Sequence, residues 1–373
     1  MPAPWQPLSS PRARVRALLS LRRALTLPEP SPRSATDWHD ICAVAIELWV
    51  APALWLAIRD TADALAPDVL ELLQDHHRAN TIRNLRFKEQ LREAVQTLNL
   101  AGVTPLLFKG SVQLVDGTAA GTGARGMSDL DLAVPAPAMA AAVEALKRIG
   151  YAPVAQNQFA HPHVVVMERH RTPGPIEVHV ELGFPPISSV LPFTRVWAAS
   201  AAIAVGGGRA RTPSPSHQVL HNILHSAVQD LHHVVAGMPL RQLLTLARLA
   251  RVHGAAVDWA AVSAELETRG HARALADHLW LAHRFAGLEL PKGHRGGPSQ
   301  RLHEARVLAT FGLGWPARLQ QNLRIAFAPD YLDKLYGHGG RPAALARARA
   351  RHAVHVTRRD GTHVVREAFA RRT

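Results

Sequence analysis

The chain has 373 residues, of which 47% are hydrophobic, and it carries a formal net charge of +14. This length and apolar content can support a large core divided among roughly two or three subdomains. The single cysteine, Cys42, excludes an internal disulfide bond and argues against a cysteine-based metal site. Cys42 lies in an apolar stretch, so we expect it to be a small, buried core residue.

The same properties bear on location and partners. No apolar window is long enough to span a bilayer, and the N-terminus lacks the apolar core of a secretory signal. We therefore expect a cytoplasmic protein that has no membrane partner. Arginine carries most of the positive charge, much of it in Arg12–Arg23 and Arg341–Arg372. Solvated charge at the termini is the favoured interpretation, and a nucleic-acid surface is the alternative.

The first third of the chain reads as helical. Residues 1–35 are rich in Pro, Ser and Arg, and we expect a flexible basic N-terminus with a short helix at Val15–Leu27. Thr36 or Asp37 could cap the first helix of a helical region that extends to residue 99. Its last helix, Pro67–Leu98, is predicted from apolar residues on one helical face: Phe87, Leu91, Ala94, Val95 and Leu98.

The most informative stretch is Leu106–Val134. An apolar run ends at Lys109-Gly110-Ser111, a glycine-rich loop containing Arg125 follows, and acid and leucine then alternate in Asp129-Leu130-Asp131-Leu132. In a strand the two aspartates would share one face, about 7 Å apart, and the two leucines would face a core. Adjacent carboxylates repel unless a cation lies between them, and Mg²⁺ typically binds one or two carboxylates together with substrate phosphates.

A second acidic strand is predicted downstream. After a helix at Pro135–Gly150, strands are expected at Val164–Glu168 and Ile176–Leu182. In the later strand Glu177 and His179 share the polar face. Glu177 would join the aspartate pair if the two strands are neighbours; otherwise this face simply meets water.

The C-terminal half is again predicted to be helical. Ser214 caps a helix, Ser216–Val235, on which three histidines lie one turn apart: His217, His221 and His225. Such spacing can bind zinc, but the helix has no cysteine and no clear acidic partner, so a zinc site is not favoured. Further helices are expected at Leu240–His253, Val257–Arg269, His271–Leu288 and Leu302–Phe327, before a basic tail at residues 331–373.

The ordered set of short motifs resembles the nucleotidyltransferase superfamily, which has the DNA polymerase β-like fold. It is more similar to a bacterial family of predicted nucleotidyltransferases, over most of Trp38–Pro291. The matching motifs are Phe108-Lys109-Gly110, Arg125, Asp129-Leu130-Asp131, Gly150-Tyr151 and Ile176-Glu177-Val178-His179. The gap between Gly110 and Asp129 is longer than is usual in the superfamily.

The resemblance implies an α+β fold with a small mixed β-sheet. The sheet would form a nucleotidyltransferase core at residues 100–205, between the N-terminal helical region at residues 36–99 and a C-terminal helical domain at residues 206–330. The implied activity is Mg²⁺-dependent transfer of a nucleoside monophosphate from a nucleoside triphosphate to an acceptor hydroxyl.

The resemblance also assigns roles to individual residues. Asp129, Asp131 and Glu177 would be catalytic and would bind two Mg²⁺ ions. Nucleotide contacts would come from Lys109, Gly110, Ser111, Arg125, His179 and His225. The predicted helix Ser216–Val235, called the histidine helix below, would then line the nucleotide cleft through His221 or His225.

Two alternatives remain open at this stage. The chain could be a nucleotide-binding or regulatory relative without turnover, since fold does not establish activity. It could instead be a toxin-like nucleotidyltransferase acting on tRNA, which the basic charge favours. The acceptor is equally open between a small molecule, a peptide, a protein and an RNA end.

Overall fold

A computed structural model describes residues 8, 10–26, 35–116, 121–154, 163–314, 327, 329, 332 and 339–359. The tip of the predicted glycine-rich loop, the first residues of the N-terminus and about half of the predicted basic tail lie outside these ranges. The chain divides into two compact units, residues 1–313 and 314–373. In the second unit the described helix, named α16 here, is Pro342–Arg359.

Helices precede the sheet, as predicted. Together with those inserted between the strands, their bounds are α1 (Pro11–Thr26), α2 (Ala35–Glu47), α3 (Ala51–Ile58), α4 (Pro67–Leu100), α5 (Gly110–Gln113), α6 (Gly121–Ala124), α7 (Met139–Arg148), α8 (Ile187–Val190) and α9 (Phe193–Ala198). A 3₁₀ segment at Arg59–Ala64 follows α3, and another at Ala136–Ala138 precedes α7.

A mixed sheet of seven strands lies at the centre of the first unit. The strands are β1 (Leu106–Leu107), β2 (Leu130–Ala133), β3 (Ala152–Pro153), β4 (Val164–Glu168), β5 (Ile176–His179), β6 (Ala201–Val205) and β7 (Gly208–Thr212). Their order is β3-β4-β5-β2-β1-β7-β6, with β2 parallel to β5 and antiparallel to β1. The predicted α+β fold is confirmed, and the sheet continues past residue 205 through β7.

The two faces of the sheet belong to two different cores. Leu130 and Leu132 are fully buried on the face that packs against α4 and α7, as the alternation of leucine and acid predicts. Leu106, Phe108 and Ala133 face the other way, into a larger core shared with the surrounding helices. Asp131 lies between Leu130 and Leu132 in the strand, so its side chain points toward this second, helical side.

Helix α4 supports both loops that lead into the acidic strands. Its apolar face packs on the sheet, as predicted. Its polar side chains bind backbone oxygens: Asn84 Nδ2 donates to the carbonyl of Arg125 (2.8 Å) and Gln90 Nε2 donates to the carbonyl of Gly174 (2.9 Å). The start points of β2 and β5 are therefore fixed by one long helix.

The helices after the sheet in the first unit are α10 (Pro215–Ile223), α11 (His232–Val235), α12 (Leu240–His253), α13 (Trp259–Thr268), α14 (Ala272–Ala286) and α15 (Pro298–Leu313). The predicted cap is present, since Ser214 Oγ accepts a hydrogen bond from the backbone N–H of His217 (3.3 Å). The predicted helix Leu302–Phe327 falls partly on α15, and residues 315–326 lie outside the described ranges.

Two predicted elements are wrong in extent. Strand β5 ends at His179 rather than Leu182, and beyond it the carboxylate of Glu181 accepts a hydrogen bond from the backbone N–H of Phe193 (2.8 Å). The predicted helix Ser216–Val235 is interrupted. A π-helical turn follows α10 at Leu224–Gln229, and Leu231 then adopts a left-handed conformation (φ 58°) before α11.

Within the described part of the chain, no helix combines the length and the apolar character needed to cross a membrane.

The cysteine offers a simple probe of the core. Cys42 is fully buried, and burial raises the pKa of its thiol to about 12. We expect a thiol reagent to label the native protein only as fast as the region around α2 opens, because the reactive species is the thiolate. The rate of labelling, followed with and without denaturant, checks this. Rapid, complete labelling of the native chain at neutral pH would contradict it.

A glycine tests the junction between the two acidic strands. A Cβ atom on Gly174 would collide with the backbone oxygen of Ser128 and lie 2.8 Å from the ring of Phe87. Gly174→Ala should lower the free energy of unfolding by about 1–3 kcal/mol, because backbone must shift to admit it. Gly297→Ala is the control, since its Cβ would meet only the flexible end of Gln300 (3.3 Å). Equal denaturation midpoints for both variants would show that the junction is loose.

Candidate active site

The two acidic strands lie side by side, which was the condition for Glu177 to join the aspartates. In the parallel pairing of β2 with β5, Asp131 is opposite Glu177 and Ala133 is opposite His179. His179 Nε2 lies 3.3 Å from Asp131 Oδ1 and 3.4 Å from Glu177 Oε2. One imidazole nitrogen therefore lies between two carboxylates that come from neighbouring strands.

Lys109 completes this cluster from the end of β1. Its Nζ donates to Asp131 Oδ1 at 2.7 Å. Its backbone adopts φ 51° and ψ −126°, a conformation that residues other than glycine rarely adopt and that costs about 1–3 kcal/mol. Such strain is typical of functional sites, and here it turns the lysine back toward β2.

Asp131 is the most deeply buried acid of the site, with 1% of its surface exposed. Burial alone would raise the pKa of this carboxyl, but Lys109 and His179 outweigh burial and hold the pKa well below its usual range. For His179, burial alone would lower the pKa, and the neighbouring carboxylates of Asp131 and Glu177 raise it instead. The buried carboxylate is therefore ionised and closely compensated by positive charge.

Asp129 immediately precedes β2 and has a different environment. Its Oδ2 accepts a hydrogen bond from Ser128 Oγ (2.9 Å). Burial raises the pKa of Asp129, and the charges of Asp131 and Glu177 raise it further despite Lys109. Three carboxylates thus lie near one lysine ammonium, and the negative charges of the other two carboxylates act on Asp129.

The turn after Lys109 packs tightly against Arg125. A Cβ on Gly110 would collide with the Arg125 guanidinium, so a larger residue there would require this arginine to shift. Burial lowers the pKa of Arg125 to about 10, with Arg241 adding to the effect and Asp131 and Asp129 opposing it. Ser111 is fully buried, and its hydroxyl makes no hydrogen bond within the described ranges.

The histidine helix covers the same face of the sheet. Edge-on aromatic contacts join Phe108 to His179 and to His221, with ring centroids 5.0 and 5.6 Å apart. His221 Nε2 donates to the carbonyl of Leu182 (2.9 Å), and burial lowers the pKa of this imidazole to about 3. His221 is therefore a neutral packing residue that orients His179 through Phe108.

The predicted nucleotide contact His225 lies on the π-helical turn, one position after it begins. Its Nδ1 lies 3.1 Å from Asp230 Oδ2. Lys109 is among the charges that act on Asp230, so this pair borders the lysine side of the site. His217 lies instead beside Arg195 and Glu265, away from the other predicted site residues.

Sequence reasoning missed two arginines on α12. Arg241 Nη1 donates to the carbonyl of Gly126 (3.3 Å) and stacks over Trp49. Arg248 forms an ion pair with Asp116 (2.6 Å). Both act electrostatically on Arg125, so two guanidinium groups of α12 lie near that of Arg125. Their spacing of seven residues, which places both on one helical face, was the signal available in the sequence.

The donor set fits a divalent cation. Ligand atoms of Asp131, Glu177 and His179 lie within 4.8 Å of one another. Three carboxylates share the site with one lysine ammonium, and Asp131 and Glu177 add to the effect of burial in raising the pKa of Asp129. Carboxylate oxygens are the ligands that Mg²⁺ prefers. The residues present therefore suit a hard divalent ion.

Comparison with known proteins identifies a family. No curated protein and no solved structure gives a significant match. A protein-family model described as an uncharacterised nucleotidyltransferase matches residues 34–287, which include the whole sheet, α4 and the histidine helix. The chain belongs to this family of nucleotidyltransferases.

Proposed function

We propose that the protein transfers a nucleoside monophosphate from a nucleoside triphosphate to an acceptor hydroxyl, in a reaction that requires Mg²⁺. The observation that carries the proposal is the pairing of β2 with β5, which gathers Asp131, Glu177 and His179 around one point beside Lys109. Family membership supports the same general chemistry.

Asp129, Asp131 and Glu177 would hold the metal. When bound there, Mg²⁺ would neutralise the triphosphate and make the acceptor hydroxyl more acidic. Asp131 and Glu177 lie opposite each other on the paired strands, and Glu177 is the more exposed of the two, with 29% of its side chain accessible. It is therefore the carboxylate that can receive the proton of an entering hydroxyl.

Lys109 would change partner during substrate binding. Its ammonium group now compensates Asp131 at 2.7 Å. A bound metal would take over that role, and the lysine, whose side chain is 23% exposed, would then contact a phosphate oxygen. Gly110 and Ser111 would lie along the same phosphate path, as the resemblance of the motifs implies.

His179 is best described as a positioning residue. Its imidazole is buried between two carboxylates and held edge-on by Phe108. It fixes the side chains of Asp131 and Glu177 relative to each other, which keeps the metal-binding oxygens together. His225 and Asp230 border the opposite side of Lys109, where His225 would contact the nucleotide.

The three arginines would bind the triphosphate. Arg241 and Arg248 both contribute to lowering the pKa of the buried Arg125, so an anion bound among the three would relieve that repulsion. The planar guanidinium fork suits phosphate oxygens. In this arrangement the acids face the reacting phosphorus and the arginines face the leaving pyrophosphate.

The first test is nucleotidyl transfer itself. Asp129→Asn, Asp131→Asn and Glu177→Gln should each reduce transfer of label from an α-labelled triphosphate by at least about 100-fold, because each removes charge that stabilises the transition state. The assay supplies Mg²⁺ and separate pools of small molecules, peptides, proteins and RNA as acceptors. Glu168→Gln is the matched control, an exposed glutamate on β4 of the same sheet.

The parent and the control must label the same acceptor pool. If all three acidic variants label it as fast as the parent, the carboxylates do not serve the reaction. If the parent binds a triphosphate but labels none of the pools, the hypothesis of a relative without turnover replaces the proposal. Labelling of tRNA alone would favour the toxin-like alternative. In that case the affinity of the protein for tRNA should fall steeply as the salt concentration rises.

The second test concerns the arginine side of the site. Arg241→Gln should weaken binding of the preferred triphosphate roughly tenfold or more, because a charged hydrogen bond contributes about 1.5–3 kcal/mol. Binding of the corresponding nucleoside should not change. Arg251→Gln, an exposed residue on the same helix, is the control. If both variants bind the triphosphate as the parent does, the triphosphate does not lie against α12.

A further inference from the structure

A second cluster of ligand-type side chains lies outside the nucleotidyltransferase site. His233 is on α11, Asp277 on α14 and His303 on α15. One ligand atom from each lies within 4.8 Å of the others. The three residues come from separate helices of the first unit, and the proposed nucleotidyl transfer uses none of them.

The carboxylate is deeply buried and incompletely paired. Asp277 is 1% exposed and His303 is 3% exposed. Gln300 Nε2 donates to Asp277 Oδ1 (3.2 Å), whereas Asp277 Oδ2 and His233 Nδ1 make no hydrogen bond among residues that the structure describes. Arg273 Nε approaches Oδ2 only to 4.0 Å, and its side chain is 64% exposed. A buried carboxylate with so little compensation is costly unless a cation binds it.

The distances fit chelation better than hydrogen bonding. Asp277 Oδ2 lies 3.3 Å from His233 Nδ1 and 3.6 Å from His303 Nδ1. Tetrahedral zinc with bonds of about 2.0–2.2 Å requires its ligand atoms to be about 3.3–3.6 Å apart. Both Nδ1 atoms therefore approach the same carboxylate oxygen, and the two imidazole rings are stacked with centroids 5.2 Å apart.

The chemical type of the three side chains suits zinc. Two imidazoles and one carboxylate form a donor set typical of zinc sites in proteins. All three come from helices of the first unit, and Asp277 and His303 are buried.

We propose that His233, Asp277 and His303 bind a zinc ion that ties α11, α14 and α15 together. His233 is the most exposed of the three ligands, with 23% of its side chain accessible, so the remaining coordination position is left to water on that side. The ion would stabilise the end of the interrupted histidine helix, whose π-helical turn carries His225. The proposal does not depend on the nucleotidyl-transfer reaction.

The test measures zinc in the full-length chain. The protein is stripped with a chelator and titrated with Zn²⁺ against a chromophoric competitor, and metal content is measured after dialysis. His233→Gln and Asp277→Asn should each lose one zinc ion per chain, with affinity at that site falling by more than about 100-fold, the upper end for residues that only support a ligand. His271→Gln is the control, a half-buried histidine immediately before α14.

Zinc should also raise the melting temperature of the parent and of His271→Gln, and should not raise that of His233→Gln. Because His233 is partly exposed, its variant should fold even if Asp277→Asn does not, and circular dichroism checks this. Glu177→Gln distinguishes the two clusters and should keep the ion. Failure of the parent to bind zinc, or zinc lost in Glu177→Gln but retained in His233→Gln, would overturn the proposal.

Discussion

The candidate active site depends on how the protein compensates one buried carboxylate. Asp131 lies in the second strand of the sheet with 1% of its surface exposed, between two leucines that are fully buried on the opposite face. An unpaired charge there would cost several kcal/mol. The Lys109 ammonium at 2.7 Å and the His179 imidazole at 3.3 Å offset that cost. The backbone strain at Lys109 and the pairing of β2 with β5 both serve this arrangement.

The same compensation explains how the site could respond to substrate. Lys109 and His179 balance Asp131, while Asp129 and Glu177 remain more exposed and less well paired. A metal ion with its triphosphate would bring positive charge to these carboxylates and negative charge to Lys109 and the three arginines. Lys109 and His179 lie among the carboxylates, so in the proposed complex the metal would replace the lysine beside Asp131.

Local patterns predicted the fold well where a period could be read directly. The alternation in Asp129-Leu130-Asp131-Leu132 fixed which face is buried, and the apolar spacing along Pro67–Leu98 identified the helix that covers it. Which strands lie next to each other depends on the tertiary structure. The sequence could therefore place Glu177 beside Asp131 only if their two strands were neighbours. The break at Leu231 was missed because neither glycine nor proline marks that left-handed residue.

The sites that sequence reasoning missed share one cause. Arg241 reaches the acidic cluster from a helix that follows the sheet by many residues, and no local motif connects them. The cluster of His233, Asp277 and His303 draws one ligand from each of three helices. The spacing that can bind zinc was visible in the sequence only for His217, His221 and His225, which share a helical face. In the structure His221 instead donates a hydrogen bond to the carbonyl of Leu182.

The most direct test of the account is calorimetric titration of ATP, GTP, CTP and UTP, with and without Mg²⁺, on the parent and on Asp131→Asn. The account predicts that at least one triphosphate binds the parent only when Mg²⁺ is present, and that the variant loses this binding while remaining folded. Binding that is equally tight without Mg²⁺, or that is unchanged in Asp131→Asn, would contradict the assignment of the acidic strands as the metal and nucleotide site.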